Sequence, residues 1–312
     1  MARQKKRKKQ SAKINNKTVL GVLVVIGIII FAYFYQDTNS DTETFIDVSG
    51  NFAVHFIDVG QGDSILIQSP ENDFMLIDTG ESDQYNKLSG YLDNFNVKEF
   101  KYIIFTHPHS DHIGSADKIV KNYDIENIIM PDAINKTQTF ERLITEIENK
   151  NLEITPAVRG SKFNFGDAEF IILAPSSEEY KNLNNYSVVI QMIYGNTKFI
   201  FTGDAEKESE NEIIEYCERN RFNISADVLK AGHHGSSTSS RQEFINLVQP
   251  SAAVIMCGKD NSYNHPNPQT VNRFESAGAE VLRTDIYGDI VIISDGRNLS
   301  VKKGRGEFED LR

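Results

Sequence analysis

Thr106-His107-Pro108-His109-Ser110-Asp111-His112 decides how this chain is read. Three of its seven histidines and one aspartate fall within six consecutive residues. They follow Tyr102-Ile103-Ile104-Phe105, an apolar run of strand length. A strand that ends in His-x-His-x-Asp-His delivers four ligand-type side chains to one small volume. Neutral imidazole and carboxylate are the groups that hold zinc, manganese or iron. His107 and His109 can grip one ion, and Asp111 with His112 a second. A purely structural cluster is a poor account, because burying several polar rings without partners is costly.

Outward from this segment, the 312 residues suffice for one large domain or two small ones. The net charge of −11 conceals an asymmetry. Residues 1–35 hold eight Lys and Arg and no Asp or Glu, which leaves 25 basic and 44 acidic residues beyond them. An acidic body argues against sequence-blind wrapping of nucleic acid, which needs basic surface. It does not exclude a local phosphate site, because bound cations reverse the local field. The two cysteines, Cys217 and Cys257, are expected as unpaired, packed thiols.

Residues 1–18 read as a basic cytoplasmic tail whose charge sets topology. Val19 to Tyr35 is a run of 17 uncharged residues, at the short end of the roughly 17–25 that span a bilayer. Phe31, Tyr33, Phe34 and Tyr35 collect at its far end, where an aromatic belt would lie. No small-x-small cleavage pattern follows, so an uncleaved single-pass transmembrane anchor is expected, with the C-terminal body extracellular. Residues 36–44 are polar and acidic and read as a linker. The body is expected to run from 45 to 312.

Strands are expected at Phe52–Asp58, Ser64–Gln68, Phe74–Asp78, Tyr102–Phe105, Asn127–Met130, Ala168–Leu173, Val188–Tyr194, Thr197–Phe201, Asp227–Ala231, Ala252–Met256, Glu280–Arg283, Asp289–Ser294 and Leu299–Lys302. Helices are expected at Ser115–Asn122, Thr137–Lys150, Lys207–Arg219, Arg241–Val248 and Pro268–Ser276. Helices fall between strands, which predicts an α/β (α+β) class with two sheets face to face and helices outside. His55 alternates with Phe56 inside a strand and reads as a core histidine. The glycines of Gly60-Gln61-Gly62 permit a tight turn or a close backbone approach. That either brings Asp63 near the histidine cluster or ends a hairpin.

Five segments recur in order: Leu76-Ile77-Asp78-Thr79-Gly80, the histidine cluster, Phe201-Thr202-Gly203-Asp204-Ala205, Lys230-Ala231-Gly232-His233-His234-Gly235-Ser236-Ser237, and Asn264-His265-Pro266. Together they resemble the metallo-β-lactamase fold. The opening string His55-Phe56-Ile57-Asp58-Val59-Gly60-Gln61-Gly62-Asp63-Ser64 narrows the resemblance to the extracellular hydrolase domain of ComEC-type competence proteins.

That resemblance implies a four-layer αββα sandwich with two divalent metal ions, zinc or manganese, at one edge. His107 and His109 would bind the first ion, Asp111 and His112 the second, and Asp204 both. One of His233 and His234 would complete the second site, and the other would face the substrate. Asp111, Asp204 and His234 would carry the chemistry, a metal-bridging hydroxide being the nucleophile. Asp78 would orient histidine ligands from beneath. Gly235, Ser236 and Ser237 could donate hydrogen bonds to a phosphate, as could the N-terminus of the helix near Ser115. His265 reads either as a capped loop histidine or as part of the site.

One departure stands out. Most enzymes of this fold place a further histidine, for the first metal, between the cluster and the bridging Asp. Between His112 and Asp204 this chain has none. Asn185 and Ser187 stand near the expected place, so the first ion is expected to bind weakly or through water or an Asn or Ser oxygen. Harder oxygen ligation would favour manganese. The expected function is a dinuclear phosphodiesterase or nuclease, acting on nucleic acid, a nucleotide or an envelope polymer. The alternatives are a lactone or thioester hydrolase and a non-catalytic metal-dependent binding module. A role in DNA uptake would require a separate membrane partner.

Overall fold

Along the strand Phe74–Ile77, Met75 and Ile77 turn into one core while Phe74 and Leu76 turn into another. A strand buried on both faces needs cover on both, and its sequence becomes a continuous apolar run. Met75 and Ile77 join Phe52, Val54 and Phe56 from the same sheet and Phe170, Phe199 and Phe201 from the facing one. Phe74 and Leu76 pack instead against Leu88 and Leu92 of the helix Tyr85–Asn94, Ile119 of Ala116–Asn122, and Leu143 and Ile147 of Gln138–Asn149. The second sheet repeats the pattern. Its Ile171, Ile200, Leu229 and Ala253 meet Ile213, Phe244 and Phe274 on the helices Lys207–Asn220, Gln242–Val248 and Pro268–Ser276. Helix, sheet, sheet and helix therefore stack in that order. Phe56 and Phe201 meet across the central core with ring centroids 6.3 Å apart. Truncating either to alanine costs about 3–5 kcal/mol.

This computed structural model describes Val48 and residues 50–311. The tail, the anchor and the linker expected at 1–44 lie outside the described residues. Among the described residues, no helix is long and apolar enough to cross a membrane. Cys217 and Cys257 are free and buried.

The first sheet, in spatial order, runs Glu309–Asp310, Leu299–Lys303, Ile290–Ser294, Phe52–Phe56, Ile65–Gln68, Phe74–Ile77, Tyr102–Ile104, Ile128–Met130 and Ile154–Pro156. The second runs Glu280–Arg283, Ala252–Ile255, Val228–Lys230, Thr197–Phe201, Val189–Tyr194, Ala168–Ala174 and Lys162–Phe165. Each sheet has an antiparallel part and a parallel part. Phe74–Ile77, Tyr102–Ile104 and Ile128–Met130 are parallel in the first. Thr197–Phe201, Val228–Lys230 and Ala252–Ile255 are parallel in the second. Parallel strands end at one edge, and ligands bind outside those carboxyl ends. Asp78, Thr106, Asp204 and Ala231 each follow a strand of this kind.

Several local features differ from expectation, among them the additional strands Ile154–Pro156, Lys162–Phe165 and Glu309–Asp310. The helix Tyr85–Asn94 buries only Leu88 and Leu92, too thin an apolar stripe to stand out in the sequence. A helix does occupy Ala116–Asn122, but a four-residue helix, Ser110–Ile113, intervenes and begins inside the histidine cluster itself.

Candidate metal centre

Each ligand-type side chain here is aimed by its neighbours. The strand Phe74–Ile77 ends at Asp78, whose left-handed backbone (φ 58°) turns its carboxylate beneath the cluster. Oδ1 of Asp78 accepts from the Thr106 amide at 2.8 Å, and Oδ2 from the Thr106 hydroxyl at 2.6 Å. His112 Nδ1 lies 2.7 Å from the same Oδ2. That contact fixes the ring and points Nε2 the other way, to 3.2 Å from Asp204 Oδ1.

Asp204 is the hub. Its Oδ2 lies 3.8 Å from His107 Nε2, 3.7 Å from His233 Nε2 and 3.5 Å from His234 Nε2. His109 Nδ1 lies 3.0 Å from His107 Nε2, so those two rings converge on one side. His234 Nε2 lies 3.2 Å from Asp111 Oδ2, which with His112 makes the other side. Ser187 orients the first side from behind: its hydroxyl lies 3.3 Å from His107 Nδ1 and accepts from the Asp204 amide at 3.0 Å. His234 Nδ1 lies 2.9 Å from the Met256 carbonyl, which turns its Nε2 inward.

Asp63, His112, Asp204 and His234 are buried, with one ligand-type atom of each within 4.8 Å of the others. The Asp63 carboxylate lies on the Nδ1 sides of the two rings, 3.9 Å from His112 and 3.3 Å from His234. It also pairs with the Lys230 ammonium, which donates to the Gly203 carbonyl at 3.2 Å. Gly62 thus serves a close approach: a Cβ there would overlap the Asp111 carbonyl. Asp63 sits behind the imidazoles, while their Nε2 atoms converge on Asp204.

Charge follows this geometry. Burial works against an ionised Asp204, yet the His234 and His112 rings outweigh it and hold its carboxyl well below the usual range. Burial likewise opposes protonated His112 and His234, but Asp204 foremost holds both well above ordinary imidazole. His107 is driven the opposite way by burial and by His112. Asp78 is raised, burial outweighing its contacts with His112. Asp63 is held down: Lys230 and His234 outweigh its burial.

The donor set fits divalent cations. His112 Nε2 and Asp204 Oδ1 are buried and face each other without any hydrogen-bond partner. Buried polar atoms are rarely left so, and a cation between them would satisfy both.

The remaining expected residues fall into place less uniformly. The oxygen of Asn185 accepts from the Glu206 and Ser209 amides, so it serves the start of the helix Lys207–Asn220 and is not free to hold a cation. The Ser236 hydroxyl contacts Thr238, and Ser237 is exposed with its carbonyl accepting from Arg273. His265 stands beside the centre, its ring centroid 5.3 Å from that of His233 and 6.3 Å from that of His234. Burial, then the neighbouring histidines, push it down to about 4. His55 is buried in the strand Phe52–Phe56, with Nδ1 2.9 Å from the Tyr91 hydroxyl.

Sequence reading missed Lys230 and Glu206. Lys230 is fully buried in a strand end quoted only for its histidines. Glu206 lies 3.1 Å from His233 Nδ1 and also accepts from Thr238, Asn184 and Asn182. Its place directly after Gly203-Asp204-Ala205 was the available signal.

A strand-end metal centre between two such sheets defines a class. The chain belongs to the metallo-beta-lactamase superfamily, whose family model matches residues 57–259. Among curated relatives, ComE operon protein 3 of Bacillus subtilis (strain 168) is 33% identical over 78% of this chain and 33% of its own length. Competence protein ComA of Neisseria gonorrhoeae is 28% identical over 76% of this chain and 31% of its own. This chain thus spans about a third of the length of these curated relatives. Among solved structures, the metallo-beta-lactamase fold protein YhfI from Bacillus subtilis superposes with a TM-score of 0.53 at 14% identity, over 78% of this chain and 100% of that one. That similarity concerns the fold. The family and the centre together make the chain a metal-dependent hydrolase of this superfamily.

Proposed function

We propose that this hydrolase is a membrane-anchored, outward-facing phosphodiesterase that works with two divalent ions. The observation that supports it most is the two-sided presentation of Asp204, with His107 and His109 on one side and Asp111, His112 and His234 on the other. Ions held there would supply Lewis acidity to a water and to the phosphate oxygens. The chain's own side chains fix the geometry. Asp78, Ser187 and the Met256 carbonyl hold three rings by their Nδ1 atoms, so that the Nε2 atoms stay aimed. Imidazole and carboxylate donors suit zinc or manganese.

The substrate we propose is a nucleic acid or nucleotide, ahead of an envelope polymer. Tyr263 is 64% exposed and lies stacked on His265 beside the centre. Such a ring can receive a base, and stacking tolerates any base. The anchor is residues 19–35, and a role in DNA uptake would call for a separate membrane partner. The test is cleavage of single-stranded DNA, a dinucleotide and a teichoic-acid-type polymer by the full chain in detergent, beside Asp111→Ala. Cleavage of the first two, lost in the variant, is expected. Turnover unchanged by Asp111→Ala would overturn the proposal.

A further inference from the structure

His233 and His234 are adjacent, yet their rings do different work. Both have left-handed backbones, with φ of 47° and 52°. Such conformations are strained for a non-glycine residue. The surroundings enforce them: the His233 amide donates to the Gly203 carbonyl at 3.2 Å, and the Ser236 amide to the His233 carbonyl at 2.8 Å. The result separates the rings, with centroids 6.0 Å apart and planes at 69°. His234 turns toward Asp111. His233 presents Nε2 to Asp204 Oδ2 at 3.7 Å, beside the 3.8 Å of His107 Nε2.

The other nitrogen of His233 is held as well. Glu206 Oε1 lies 3.1 Å from its Nδ1, and three further donors, from Thr238, Asn184 and Asn182, fix the Glu206 carboxylate. A carboxylate on one imidazole nitrogen fixes the ring and makes the other nitrogen a better donor to metal. No histidine stands between His112 and Asp204, and the oxygen of Asn185 is committed to two amides.

We infer that His233, positioned by Glu206, is the third imidazole of the first metal subsite, alongside His107, His109 and Asp204. This rests on the two-ion reading above. It replaces the oxygen-rich first subsite expected from the sequence with a nitrogen-rich one, which favours zinc there.

The test is metal binding, independent of turnover. The full chain in detergent is titrated with zinc against a chromophoric chelator, and with cobalt(II) while its visible spectrum is followed. The variants are His233→Gly, which suits the left-handed backbone, and Glu206→Gln, which keeps the side-chain shape. Wild type should bind two ions. His233→Gly should hold one tightly and lose the cobalt band of the other. Glu206→Gln should weaken one site by about 10–100-fold. Two ions with unchanged affinity and spectrum in both variants would overturn the role of His233 and leave the two-ion reading intact. A single ion in wild type would overturn both.

Discussion

Asp78 Oδ2 lies 2.7 Å from His112 Nδ1, and that one contact determines which nitrogen of His112 faces Asp204. Asp78 is fully buried and satisfies three donors at once. Asp78→Asn keeps the shape and presents an amide N–H to His112, which drives the imidazole proton onto Nε2. Zinc affinity should fall about 10–100-fold, while thermal stability drops by about 1–3 kcal/mol. Calorimetric titration and melting curves separate the two effects. Unchanged zinc affinity would contradict the orienting role.

The buried Lys230–Asp63 pair yields a stability prediction. Lys230→Met leaves the Asp63 carboxylate without its ammonium in a fully buried site. Removing one partner of such a pair costs about 3–5 kcal/mol. Asp63→Asn in the same chain should recover much of that, because the stranded charge is gone. Urea melts of the two single variants and the double variant read the coupling. Additive losses would show that the pair is not coupled.

Gly62→Ala tests the close approach beneath Asp111. A methyl there meets the Asp111 carbonyl, and the backbone φ of 129° already disfavours any side chain. The loop must shift and carry Asp111 with it. Misplacing a reacting group by about 1 Å can cost roughly 100-fold in rate. Hydrolysis should therefore fall far more than the melting temperature, as paired assays on one preparation will show.

His55, held by Tyr91, governs a pH effect of its own. Burial holds its imidazole down at about 3, against 6.5 when free. In the folded chain it stays neutral while the unfolded chain takes up a proton. Its contribution is therefore present above pH 6.5 and is lost as pH falls toward 3, at about 1.4 kcal/mol per pH unit. His55→Leu should flatten the acid side of the stability curve by that slope. A parallel pair of curves would refute the assignment.

Most of this architecture was legible because its central strands are buried on both faces and therefore read as unbroken apolar runs, whereas the exposed edge strand Ile154–Pro156 does not. The histidine cluster was legible because its ligands are consecutive. What was hidden depends on contacts between distant segments. The helix Tyr85–Asn94 carries only two buried leucines in a polar stretch. The geometry of Asp63 depends on Lys230, 167 positions away, and on an approach to Asp111 that Gly62 permits but does not announce. The parting of His233 from His234 depends on two consecutive left-handed backbones, a conformation uncommon outside glycine. The fate of Asn185 was hidden for the same reason, since its amide partners lie in the next helix.

Asp204 is the carboxylate that we propose two metal subsites share. The most direct measurement is hydrolysis of bis(4-nitrophenyl) phosphate by the full chain, chelated and then resupplied with zinc or manganese, beside Asp204→Ala. Metal-dependent turnover that falls by about 1,000-fold or more in the variant is predicted, this being the size of effect when transition-state charge stabilisation is lost. Turnover that survives chelation, or that Asp204→Ala leaves unchanged, would contradict it.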